Sequence, residues 1–223
     1  MSISSNFHPS DPQRFQKAIK RFDTENAKDP HQETVNGVSH PRELLYAKRL
    51  SDWVLKLCPN ASEILQLAAR CQHLCRWMIP RNSYEMNRTG YLRWRNDLKQ
   101  FHAHKAGEIL HEVGYPEDII TRVQELNLKK NFPKDSESRI LEDALCLVFL
   151  QYQLAEFISQ KKEEKIIQIL QKTWEKMTPA AHAQALALPL GSKEKTYLEH
   201  ALVTGTASAK SSQTNNRAPP ETL

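Results

Sequence analysis

The residues with the most constrained chemistry are the polar ones that interrupt apolar helical segments. Glu142-Asp143 falls within a segment, 136–159, that is otherwise apolar on nearly every face: Ile140, Leu141, Ala144, Leu145, Cys146, Leu147, Val148. A carboxylate carried into such surroundings needs a cation, a metal ion or a dense hydrogen-bond set, because ionised groups are costly to desolvate alone. Arg139 and Arg70 are the arginine partners expected for one of the two, with the other reaching solvent. The same pattern recurs where Arg70, Gln72, His73 and Arg76 lie among Leu67, Ala69, Leu74 and Trp77. If the helix continues through them, the spacing of three puts Arg70, His73 and Arg76 on one face.

Downstream, Arg81, Arg88, Gly90, Tyr91, Arg93, Trp94 and Arg95 follow in close succession. A guanidinium is a planar fork that matches phosphate oxygens, and Trp or Tyr supplies a stacking face. Between Arg70 and Lys105 there are eight basic residues against Glu85 and Asp97, whereas the whole chain is only +5. Charge held in one segment points to a bound anion rather than an evenly solvated surface. Histidines add a further element. His102 and His104 sit in Phe101-His102-Ala103-His104-Lys105, and His111 shares a helix face with His104. Neutral imidazole is a common metal ligand, and here a second helix would have to complete the set.

These groups must be positioned by helices. Gly is scarce, apolar residues recur at helical rather than alternating spacing, and Leu, Ala, Glu, Gln and Lys are abundant. The fold class expected is all-α: a single-domain helical bundle of about 7–9 helices over residues 1–203, with a disordered tail over 204–223. Ser10-Asp11-Pro12 starts the first helix, which ends near Asp29-Pro30. A polar loop over 31–39 leads to a second helix after Pro41, and a third is expected over 61–79 until Pro80 stops it. A fourth covers about 91–113, a fifth starts at Pro116, the sixth is 136–159, and shorter ones follow around 163–177, 179–187 and 193–202.

Neither a spanning apolar run nor a secretory leader is evident, so a cytoplasmic location is expected, without membrane association. The four cysteines lack a CxxC pair and read as buried thiols of a reducing compartment.

In their order along the chain, these residues resemble the HD superfamily of helical metal-dependent phosphohydrolases. His73 stands at the histidine of that family's His-Asp pair, although Leu74 occupies the place of the carboxylate, and Asp143 stands at the later Asp. The run His102 to Leu110, followed by Val113-Gly114-Tyr115-Pro116, resembles the extra-histidine segment of many HD proteins. The first ligand is open between His40 and Glu43.

A more extensive resemblance, over about 15–201, is to the uncharacterised family described as domain of unknown function 4202. It rests on Arg21-Phe22-Asp23, Glu43-Leu44-Leu45-Tyr46, Gln72-His73-Leu74-Cys75-Arg76-Trp77, Ile79-Pro80-Arg81, Gly90-Tyr91-Leu92-Arg93-Trp94-Arg95 and Leu141-Glu142-Asp143-Ala144.

The HD resemblance implies a metal-dependent phosphohydrolase or related phosphoryl-processing enzyme. His73, His102, His104 and Asp143 would hold a divalent metal ion that activates water. Glu43, Glu142 and Lys130 are the candidate catalytic groups. Arg76, Trp77, Arg81, Arg93, Trp94 and Arg95 would bind a phosphorylated small molecule or nucleotide and offset its charge. The alternative is a non-catalytic module that binds RNA or a phosphorylated metabolite through the same arginines and aromatic rings.

Overall fold

The computed structural model describes residues 9–214, with side chains through Thr204. Ten α-helices and one two-stranded hairpin make up the described residues, as the all-α expectation requires. The chain groups into two compact units, residues 1–148 and 149–223.

In the first unit, α1 (Pro12–Asn26) begins where Asp11 accepts the Arg14 N–H, and it buries Phe15, Ala18, Phe22 and Asn26 along one stripe. The segment expected to be a loop instead forms an antiparallel hairpin of β1 (Gln32–Val35) and β2 (Val38–Pro41). Asn36 and Gly37, both at positive φ (51° and 78°), make its two-residue turn. An Asn-Gly pair between valines is a sequence signal for such a turn.

The hairpin delivers the chain into α2 (Arg42–Leu57), whose second residue, Glu43, donates its backbone N–H to Asp29 Oδ2 at 2.9 Å. Asp29 is itself buried, and its other oxygen accepts from the His31 N–H at 2.9 Å. One aspartate therefore joins the end of the α1 turn to the start of α2.

α3 (Glu63–Cys71) is capped by Ser62 and is shorter than the expected 61–79 helix. After Cys71 the chain turns through residues 72–75, with Cys75 in the left-handed region (φ 55°), and resumes as a 3-10 turn at Arg76–Met78. That conformation costs a non-glycine residue roughly 1–2 kcal/mol. Asn26, fully buried on α1, offsets it by accepting the Cys75 N–H at 3.0 Å. The common face expected for Arg70, His73 and Arg76 is therefore corrected. Arg70 turns to Asp23, which it grips through Nε and an NH2 group at 2.7 and 2.8 Å, while His73 and Arg76 leave the helix.

A further 3-10 turn at Arg81–Ser83 leads to α4 (Arg88–Glu112), capped by Asn87, which accepts the Gly90 N–H at 2.8 Å. A Cβ at Gly90 would lie 2.2 Å from the Glu85 carbonyl oxygen, so only glycine allows this tight return. α5 (Glu117–Leu128) packs along α4 and ends at Lys129, again left-handed (φ 57°). α6 (Ser136–Val148) packs against α2 and closes the unit.

The second unit opens with a π-helical turn at Phe149–Gln153, so the expected 136–159 helix is three elements. It continues through α7 (Leu154–Gln160), α8 (Glu163–Lys176), α9 (Pro179–Leu186) and α10 (Ser192–Thr214). Ile166, Leu170, Ala181, Ala185, Leu198 and Ala201 are buried, and the Trp174 and His182 rings stack at 3.9 Å. α10 runs past the 204 boundary expected from composition, and residues 215–223 lie outside the described residues. Among the described residues, no helix is long and apolar enough to cross a membrane.

Replacing Asn26 by Ala leaves the Cys75 N–H buried without its acceptor. The expected loss is about 2–3 kcal/mol in denaturant unfolding, and an unchanged midpoint would show that the left-handed turn holds itself.

Candidate functional site

Glu43, placed in the first turn of α2 by its backbone bond to Asp29, has a carboxyl group that is almost fully buried. Its Oε1 lies 3.7 Å from Arg76 Nε, and its Oε2 lies 3.5 Å from His73 Nδ1. The latter contact is electrostatic: Oε2 has no hydrogen-bond partner among the described residues. His73 rests flat on Tyr46, three residues along α2 from Glu43, with ring centroids 4.2 Å apart and planes within 11°.

His102 approaches from α4, 5.7 Å from His73 by ring centroid. Its Nδ1 donates to the Leu74 carbonyl oxygen at 2.8 Å, which leaves Nε2 as a bare acceptor. Nε2 is buried and has no partner among the described residues.

Burial sets the protonation of this cluster. It pushes Glu43 up to about 7 against the favourable charge of Arg76. Burial lowers His102 to about 3, and it lowers His73 well below the usual imidazole range with help from the Arg76, Lys129 and Arg95 charges. Both rings are therefore neutral at physiological pH.

Cations surround the cluster on the solvent side. Arg76 lies over the Trp94 ring at 4.9 Å, Arg81 over Trp94 and Tyr91 at 5.9 and 6.0 Å, and Arg95 over Tyr91 at 5.9 Å. Trp94 is fixed by its Nε1–H, which donates to the Ile79 carbonyl at 2.9 Å. Arg81 also binds the carbonyls of Tyr84, Glu85 and Asn87, so it braces the loop between the 3-10 turns and α4.

The structure brings together Glu43, His73, Arg76, Trp94, Arg95 and His102, and it directs other expected residues elsewhere. His104 is exposed on α4 and pairs with Glu108 at 3.4 Å. With Gly107, Glu108, His111, Ile120 and Gln124 it lines a separate groove of about 420 Å³ between α4 and α5. Lys130 is exposed and 3.9 Å from Glu125. Glu142 is buried and forms an ion pair with Lys129. Asp143 is buried beside it on α6. Trp77 is half-buried in the 3-10 turn, and Arg93 is exposed on the first turns of α4.

Two contributors were missed in the sequence. Tyr46 shares a helix face with Glu43 by its spacing of three, a signal that was available. Lys129 reads as a helix-ending residue, and only the fold brings its charge toward His73.

Among the described residues, no three His, Cys, Asp or Glu side chains form a group that could hold a metal ion. The nearest approach to one, Glu43, His73 and His102, has one His102 nitrogen engaged by a carbonyl and His73 held flat on a tyrosine. As arranged here, these three side chains do not form a divalent-ion site.

A pH series isolates Glu43. Its carboxyl is harder to ionise folded than unfolded, where 4.5 is ordinary, so wild-type stability relative to Glu43→Gln is greatest below about 4.5 and falls as pH rises through about 7. His102 acts in the opposite sense but is common to both proteins. The expected change in the difference is on the order of 2–3 kcal/mol across that window in urea titrations, and a flat difference would refute it.

No curated protein and no solved structure matches the chain. Residues 16–198 match the family described as Domain of unknown function (DUF4202), and this span holds every residue of the cluster from Glu43 to His102. The chain belongs to that family.

Proposed function

We propose that the first unit binds a phosphorylated small molecule, with its phosphate at Arg76 and Arg95 and its remainder turned toward Glu43, His73 and His102. The observation that carries this reading is the position of the Arg76 guanidinium. It is held between the Trp94 ring and the Glu43 carboxyl group, at the edge of a buried polar cluster with unpartnered atoms. A fork already oriented by a ring loses little side-chain freedom on taking an anion.

A small ligand suits the aromatic groups better than RNA does. The rings of Trp94 and Tyr91 carry the chain's own guanidinium groups, so they act as props for arginine rather than as platforms for bases. A phosphoryl-processing activity is the second reading. It is favoured by the Glu43–His73 pair, which a simple anion-binding face does not need.

Titration of the full chain with pyrophosphate and with alkyl phosphates, followed by calorimetry, tests the binding reading. Arg76→Ala should weaken binding by about 1.5–3 kcal/mol, the size of a charge-assisted hydrogen bond, while Lys130→Ala should change it less than twofold. Absence of binding by the wild type would overturn the reading, and a single-stranded RNA that binds and is released by Arg76→Ala would replace the small ligand.

A further inference from the structure

Three buried polar atoms in the cluster or next in sequence to it lack a partner among the described residues, and two of them, His102 Nε2 and the Gln72 carbonyl oxygen, can only accept. His102 Nε2, one Glu43 carboxyl oxygen and the Gln72 side-chain carbonyl oxygen are all buried without a hydrogen-bond partner among the described residues. Buried polar atoms are satisfied in the great majority of cases, and an exception calls for something that completes it. His102 is the most fully specified of the three. Its Nδ1–H is committed to the Leu74 carbonyl, so its tautomer is set by the backbone turn and Nε2 can only accept. The ring is 3% exposed and lies next to His73, whose side chain is 23% exposed and marks the side from which solvent reaches the cluster.

We infer that the ligand carries a hydroxyl group as well as its phosphate, and that His102 Nε2 receives this hydroxyl. This rests on the phosphate reading above and narrows it to phosphorylated alcohols and polyols. An ammonium donor is disfavoured at the same place, since Arg76 already puts positive charge near His102. A bare anion is disfavoured too, since a neutral imidazole with a bare nitrogen repels a second acceptor. A hydroxyl fits both constraints: it donates to Nε2, and its oxygen remains able to accept from a neighbouring cation. Selectivity of this kind is strong because a buried acceptor left unmatched penalises the analogue that lacks the hydroxyl.

The test compares polyol monophosphates of three to six carbons with their alkyl phosphate counterparts, using the full chain and calorimetry. The wild type should bind at least one hydroxylated member about tenfold more tightly than its alkyl partner. His102→Asn keeps a side-chain N–H near the position of Nδ1 and removes Nε2. It should bring the hydroxylated ligand down to the level of its alkyl partner in the same variant, so that the preference between the two is lost. If His102→Asn fails to fold, the nitrogen NMR shift of His102 Nε2 in the wild type decides instead: it should move on addition of the polyol phosphate and stay fixed with the alkyl one. Equal affinity of every pair, or a variant that keeps the tenfold preference, would overturn the hydroxyl inference while leaving phosphate binding intact. If neither class binds, both readings fall.

Discussion

The left-handed turn at Cys75, held by the buried Asn26 side chain, is the constraint on which the site depends. Helix α3 is apolar enough to continue beyond Cys71. Had it done so, His73 and Arg76 would follow Arg70 along one helical face, and Arg70 is occupied by Asp23. Breaking the helix frees the next residues to face α2 and α4. The Leu74 carbonyl released from helical pairing becomes the acceptor that orients His102. One side-chain amide thus fixes the direction of the chain and, through it, the tautomer of a histidine on another helix.

A second principle is the separation of charge from burial. Glu43, His73 and His102 sit where desolvation favours neutral forms, and the arginines remain at the edge, stacked on Trp94 and Tyr91. Charge at the edge is inexpensive because the guanidinium groups keep contact with water. The interior ion pair, Lys129 with Glu142, joins the end of α5 to α6. Its charge still reaches His73, adding to the forces that keep that ring neutral. The proposed ligand, with an anionic end and a neutral polar end, matches this division.

Composition and periodicity by themselves determined the helical class, most helix starts and the concentration of arginine and aromatic residues between Arg70 and Lys105. These are local properties: caps such as Asp11, Ser62 and Asn87 act within one turn, and an apolar stripe is visible at its own spacing. Even the missed hairpin was announced by Asn36-Gly37. What the tertiary structure decided was pairing. Glu142 met Lys129, Arg70 met Asp23, and His104 pointed into the α4/α5 groove while His102, two residues earlier, entered the cluster. Residues two apart on a helix face different neighbours, and a left-handed residue such as Cys75 or Lys129 redirects everything after it. Such turns arise where a distant side chain, here Asn26, supplies the missing hydrogen bond, and no window of local sequence contains both partners.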